Sequence, residues 1–407
     1  MKTLFIAIIT LLSVTATIAQ DNKNTAKFEL GKGLDINLDG GEYNFNLNGF
    51  IQVYGAYRNE KDGEDESLFG VKNAFFGFKG GALHNKFTFM LEANFADSNP
   101  LMDAWAAYNL KDYLTITVGQ KQTFTNNREM IMHEKNLSMA DRSIVSQYFS
   151  GTGRELGLFF ESKLYLGKIA LKPSIAITTG DGRNSFGSSS IDVDMGGLKY
   201  GGRLDVLPLG EFKSGNDGVG ADFAREESPR LLVGGAMSYN DGASNKVGEG
   251  HGDFVLYDKE GDSKFPALRK IAADLLFKWQ GWSIMAEYVN ASATDLKGIY
   301  TKSTGDQPLQ PEEIANYLNL GNGYNVQVGY LLKSGWGFDA RFSKVKPEFK
   351  ETETSPLWET NEYAVSVAKY FIDNRLMCQG AFTYLKNPNF KTANEKLSAE
   401  FSVQIIF

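Results

Sequence analysis

The chain has little cysteine, histidine or proline. One Cys in 407 residues, Cys378, excludes an intrachain disulfide framework and any cysteine-built metal site. The three His, at 84, 133 and 251, have no metal-ligand spacing, so neither a metal nor another cofactor is expected. Long apolar runs are missing too. A helix that crosses a bilayer needs about 20 apolar residues, and only the extreme N-terminus comes close. Positive charge is in deficit, with 42 Lys and Arg against 49 Asp and Glu, a net of −7. That balance argues against a nucleic-acid partner. No strand–GxGxxG–helix context and no Gly-x-Ser-x-Gly elbow occur, so no nucleotide site and no enzyme is indicated. Glycine and aromatics, in contrast, are plentiful: 43 Gly, 29 Phe and 18 Tyr. Such aromatic content excludes a disordered chain.

Residues 1–19 open with Met1-Lys2, continue through an apolar stretch from Leu4 to Leu12, and end in small residues before Gln20. This order describes a secretory signal peptide cut after Ala19. No Cys follows the cut, which disfavours a lipid anchor.

Beyond residue 43 the pattern has a period of two. Phe45, Leu47, Gly49, Ile51, Val53, Gly55 and Tyr57 alternate with Asn44, Asn46, Asn48, Gln52 and Arg58. Leu397, Ala399, Phe401, Val403, Ile405 and Phe407 alternate with Lys396, Ser398, Glu400, Ser402 and Gln404. Half-buried strands alternate this way in any protein. These segments, however, run to about 10–13 residues, where soluble strands have about 5 or 6 and tilted membrane strands about 9–11. The second face is polar almost everywhere, as a watery lumen requires. Sixteen such segments fall at 44–58, 70–82, 86–96, 101–110, 113–122, 152–161, 168–180, 196–207, 229–240, 266–279, 281–291, 323–333, 335–343, 360–371, 375–385 and 396–407.

Their connections alternate between tight turns, such as Lys111-Asp112 and Gln280-Gly281, and long polar loops. This asymmetry predicts an all-β fold: a transmembrane, antiparallel, up-and-down β-barrel of about 16 strands over 44–407, with residues 20–43 as a periplasmic lead-in. One connection breaks the rule, because 208–228 is long yet falls on the short-turn side. Either that turn is extended or the strand count is wrong there by a pair. Aromatics near strand ends (Tyr113, Trp279, Trp282 and Trp336) suit the headgroup level of outer-membrane lipid. Phe407 closes the last strand, which is how such barrels end for recognition by the barrel-assembly machinery.

The connection 123–151 is too apolar to sit in water, with Met130, Ile131, Met132, Leu137, Met139, Ile144 and Val145. Long ordered loops are usually functional, and this one is expected to fold inward as a constriction loop. It carries Arg128, Lys135 and Arg142, and Asp141 among its acids. Strand parity points Arg58, Lys79, Lys121, Lys199, Arg203 and Arg341 into the lumen, together with Lys86, Lys172, Lys278 and Lys396. It also points Glu92, Asp103, Asp205, Asp274, Glu287, Asp339 and Glu400 inward. Rings of basic side chains select anions, but carboxylates that pair with them would stiffen the wall instead.

Gly31-Lys32-Gly33-Leu34, followed by Phe45-Asn46-Leu47-Asn48-Gly49-Phe50-Ile51-Gln52, resembles the opening of the phosphate-selective porin O and P family. Val118-Gly119-Gln120-Lys121 is similar to a strand motif of that family. Asp141-Arg142-Ser143 with Gly153-Arg154-Glu155-Leu156-Gly157 is similar to its motif pair around the constriction loop. The resemblance implies a sixteen-stranded, usually trimeric, outer-membrane barrel that passes small anions such as phosphate. By the same resemblance, Lys121, Arg142 and Arg154 would lie on the anion path. Four positions depart from the family: Asp141 replaces a Glu, Phe50 an Arg and Thr123 a common Pro, and Lys121 sits about one residue early. The expectation is a porin of the bacterial outer membrane giving passive diffusion of small hydrophilic solutes. The alternatives are a non-selective porin, a structural or binding barrel without open conductance, a barrel-embedded enzyme using His133 with Ser138 or Ser143, or a hydrophobic-substrate channel.

Overall fold

The computed structural model describes residues 24–61, 63–185, 196–213, 215–250, 252–389 and 394–407. The signal peptide expected over 1–19 and His251 lie outside the described residues.

Nineteen strands form one antiparallel sheet. Two of them, β1 (Thr25–Glu29) and β2 (Gly33–Leu38), make a hairpin ahead of the barrel. The first barrel strands are β3 (Tyr43–Glu60), β4 (Glu66–Ala82), β5 (Phe87–Asn94), β6 (Leu101–Lys111), β7 (Leu114–Gln122) and β8 (Arg154–Ser162). A short β9 (Leu164–Leu166) pairs with the start of β10 (Ile169–Thr178). Then come β11 (Lys199–Leu207), β12 (Arg230–Asn240), β13 (Ala267–Trp279), β14 (Trp282–Thr294) and β15 (Gly321–Leu331). The last four are β16 (Trp336–Pro347), β17 (Thr360–Ile372), β18 (Leu376–Lys386) and β19 (Glu395–Ile406).

Each barrel strand pairs with the next, and β19 pairs with β3 from Lys396↔Glu60 to Ile406↔Phe50. The sheet therefore closes on itself with sixteen strands and no open edge, the arrangement that satisfies every ladder group in lipid. All sixteen segments expected from the alternation are strands. The long connection 208–229 is an extended turn, so the strand count stands. Within 20–43, β2 pairs edge-on with residues 43–47 of β3, so the described part of the lead-in extends the sheet at the short-turn rim.

Burial is inverted relative to a soluble protein. Outward side chains are apolar and exposed: Val365 is 53% exposed, Phe401 56% and Phe69 92%. Inward side chains are polar and buried, with Gln404 at 1% and Lys278 at 0%. Two aromatic levels bound the outer band. Near the short turns lie Trp279, Trp336 and the tilted pair Trp282–Tyr330, with centroids 4.6 Å apart. Near the long loops, Tyr288 meets Tyr324 at 5.1 Å and Phe342 meets Tyr363 at 5.2 Å. Lys369 faces outward yet bends its ammonium over Trp336 towards the Ser334 carbonyl, keeping its charge out of the apolar band.

Candidate functional site: the lumen and its inward loop

The connection 123–153 folds inside the barrel, as its apolar residues require. Met132 and Leu137 pack with inward Leu207, Leu232, Leu276 and Met285, while Ile131 packs on Phe124 and Phe159. Where the wall faces the loop, the lumen thus carries a small hydrophobic core.

Around that core the wall presents polar groups at one level. The register runs Asp205↔Gly234↔Asp274↔Glu287↔Asn325↔Ser343↔Glu362 across seven consecutive strands. Four carboxylates in this row hold the loop. Arg128 reaches Asp205 at 2.6 Å and Asp274 at 3.1 Å. Arg203, on the wall, reaches Asp205 at 2.7 Å and Asp274 at 2.6 Å. These four side chains form a closed, charge-balanced square. Gly234 makes room for it, because a Cβ there would stand 2.5 and 2.6 Å from the Asp274 and Asp205 oxygens. Glu287 accepts from Asn127 Nδ2 at 3.1 Å and from the Glu129 backbone N–H at 2.6 Å. Glu362 accepts from the Ile144 N–H at 3.1 Å, one of the N–H groups that a helical first turn leaves free. Glu129 in turn binds Arg341 at 3.2 Å and gathers the Ser143 N–H, Ser143 Oγ and Ser146 Oγ.

The opposite side is fixed as well. His133 sits against Phe50 and Phe75, with centroids at 5.6 and 5.1 Å, and its Nε2 lies 3.1 Å from Glu92. Arg154 binds Glu134 at 3.0 Å, Asp103 at 3.6 Å and Glu92 at 3.9 Å. Burial works against the Glu134 charge, yet Arg154, His133 and Arg142 hold its carboxyl well below the usual range. Ser138 accepts from Gln327 through Oγ and from Gln379 through its carbonyl, while Gln404 donates to the Lys135 carbonyl at 3.1 Å. The loop therefore touches the wall from β3 through β5, at β7 and β8, and from β10 through β19.

Most cations expected along the path turn out to be buried partners in this lattice. Arg128, Arg154, Arg203 and Arg341 are all buried and ion-paired. Lys199 pairs with Glu155 and Glu249. Lys121 pairs with Glu161, and Lys172 with Asp217 at 2.8 Å. Arg142 turns its guanidinium to the Glu129 and Met132 carbonyls and to Glu134. Asp141 is exposed and binds Lys72 at 2.7 Å. Arg58 is only half-buried, at 3.4 Å from Glu66. Lys79, Lys86, Lys135 and Lys396 carry no ion pair among the described residues.

Strand parity overlooked Lys72, which bridges Asp141 and Glu400. The register Gln52↔Asn73 is followed by Val53↔Val71, so Lys72 is the extra residue of a bulge that resets the alternation in β4. Lys270 and Glu249 were also missed; they pair at 2.8 Å and tie the long loop 241–266 to β13. Above the inward loop, two adjoining cavities of about 320 and 540 Å³ share Gln147, Leu385 and Lys396. Arg58, Asp141 and Ser398 line the larger cavity. Among the described residues no group of acids, His and Cys is placed to hold a metal ion.

No family model matches the chain, and no curated relative does. Solved structures share its architecture. The outer membrane channel DcaP of Acinetobacter baumannii aligns with a TM-score of 0.55 at 12% identity, over 90% of this chain and 97% of that one. OmpF of Salmonella typhi, solved with daunomycin, aligns at 0.52 and 12% identity, over 90% and 98%. OprB of Pseudomonas putida aligns at 0.51 and 11% identity, over 90% and 94%. Identities this low speak for the fold. With the closed sixteen-stranded sheet, the exposed apolar belt and the polar interior, they make this chain a bacterial outer-membrane β-barrel with the porin fold.

Proposed function

We propose that the chain is a diffusion channel for small hydrophilic solutes, with a preference for small anions such as phosphate. The observation that carries the anion preference is the pair Lys79 and Lys135. Neither has an ion-pair partner among the described residues, although most lumen cations are neutralised. Burial depresses the Lys135 ammonium, Glu92 and Glu134 work against the shift, and Lys79 nearby adds to it. Two like charges, one on the loop and one on the wall, attract an anion. Arg58 and Lys396, at the larger cavity above, supply the corresponding charge at the entrance. Solutes move down their gradient and no bond changes. Homotrimeric assembly and recognition of Phe407 during insertion belong to the same proposal.

The test is the reversal potential of the purified protein in a planar bilayer under a KCl gradient. An anion-selective sign is expected, together with block by phosphate, and Lys79→Glu with Lys135→Glu should reverse the sign. A cation-selective wild type overturns the anion preference. A second reading, a structural or binding barrel without open conductance, is favoured by the loop's bonds and packing contacts around most of the barrel wall. Absence of current in the wild type would establish it.

A further inference from the structure

We propose that the segment 208–229 is a second constriction element, entering from the short-turn mouth and docked under the inward loop. This rests on the diffusion-channel reading above. The other connections at that mouth are short, spanning residues 280–281 or 332–335, for example, whereas this one does not trail outside the barrel.

Its anchor is Lys278, which points inward from β13 and is fully buried. The ammonium donates to the carbonyls of Asn216, Val219 and Ala221 at 2.7, 2.7 and 2.8 Å. No carboxylate lies within ion-pair distance of it among the described residues. Three convergent carbonyls saturate the three donors of the ammonium, which offsets its burial. Asp222, also fully buried, accepts from Asn216 Nδ2, the Glu226 N–H and the Gly281 N–H, locking the segment to the β13–β14 turn. Phe212 is buried in the cluster that holds Met132, and Phe223 meets Tyr370 edge-on at 4.9 Å.

The segment and the loop then touch. The Gly220 N–H donates to the Asn136 carbonyl at 2.7 Å, and Asn136 Nδ2 donates to the Gly218 carbonyl at 3.1 Å. Gly220 lies so close beneath Ser138 that a Cβ would stand 2.8 Å from the Ser138 backbone nitrogen. The two inserts are therefore stacked in series. Among the described residues the segment bonds to no strand from β3 to β7, so it confines the lower passage to that side, where Lys79 lies. A solute must clear both inserts, and the second sets a size limit that the loop alone would not.

The experiment compares full-length wild type with two variants in planar bilayers and in liposome-swelling assays with neutral sugars of increasing size. One variant replaces residues 215–224 with Gly-Ser-Gly, and the other is Gly220→Leu. A heat-dependent gel shift confirms that each barrel is folded. The truncation is expected to raise single-channel conductance about twofold or more, as removing a constriction in series does, and to admit larger sugars. Gly220→Leu is expected to give flickering currents between the two levels. A folded truncation with wild-type conductance and wild-type sugar cut-off overturns the proposal. If the wild type passes no current, the diffusion-channel reading fails separately. The truncation then decides the inference, supporting it by opening the barrel and refuting it by staying shut.

Discussion

Replacing Asp274 by Asn tests whether the charges of the lumen wall lock the inward loop in place. In the native square, Arg128 and Arg203 face Asp205 and Asp274, and none of the four side chains is more than 12% exposed. The substitution keeps the shape but leaves two guanidinium groups sharing one carboxylate. A unit charge about 4 Å away at an effective dielectric of about 20 is worth about 4 kcal/mol. Breaking a buried pair from one side costs about 3–5 kcal/mol. At about 1.4 kcal/mol per factor of ten, loop docking should weaken by roughly a hundredfold to a few thousandfold. Amide hydrogen exchange over residues 123–150 in the folded barrel reads this directly, as a loss of protection of that order. Adding Arg128→Met restores one cation to one anion and should recover most of the loss, with a coupling of about 2 kcal/mol or more. The reasoning fails if Asp274→Asn leaves loop exchange at the wild-type rate, or if Arg128→Met adds a second, independent loss.

Three further outcomes follow from the same geometry. Gly234→Ala places a methyl between the two carboxylates of the square, and should loosen the loop in the same exchange measurement by about 1–3 kcal/mol, as overpacking does. Burial works against the Glu249 charge, but Lys270, Lys199 and the Gly151 N–H bring its carboxyl down to about 2. Its contribution is therefore whole above the ordinary Glu value of about 4.3 and is lost as pH falls from there towards 2. Proteolysis of the 241–266 loop should speed up between pH 5 and pH 3 (roughly the upper part of that window), and Glu249→Gln should remove the difference. Lys72→Met frees Asp141 and Glu400 together, so the reversal potential should move towards cations; an unchanged potential would place both carboxylates off the solute path.

The architecture was legible because a bilayer imposes a period and a length that few other environments require. Every barrel strand answers to that pattern, including β19, whose alternation runs unbroken to Phe407. The interior was less legible. Parity states which way Arg203 or Arg341 points, but not what stands opposite, and in both cases a carboxylate does. Parity also fails wherever a bulge inserts a residue, as at Lys72. Glu249 lies in a connection, where no period applies, and its partners Lys199 and Lys270 are distant in sequence. The length of 208–229 flagged an anomaly, but only the carbonyl cage around Lys278 gives its direction.

The seam of the wall bears on the order in which the molecule can be assembled. Gly49 and Phe407 exchange backbone hydrogen bonds at 2.8 and 2.9 Å, so the end of β19 completes the ladder of the first barrel strand. Joining such distant parts of a chain carries a large entropic cost before any contact rewards it. Here the cost is shared, because Gln404, on the closing strand, also binds the Lys135 carbonyl, as does Asn374 beside it. A folded interior thus offers the final strand a surface to settle on before it meets β3. Sequences that weaken the loop should therefore slow insertion of the whole barrel, even where the finished wall is untouched.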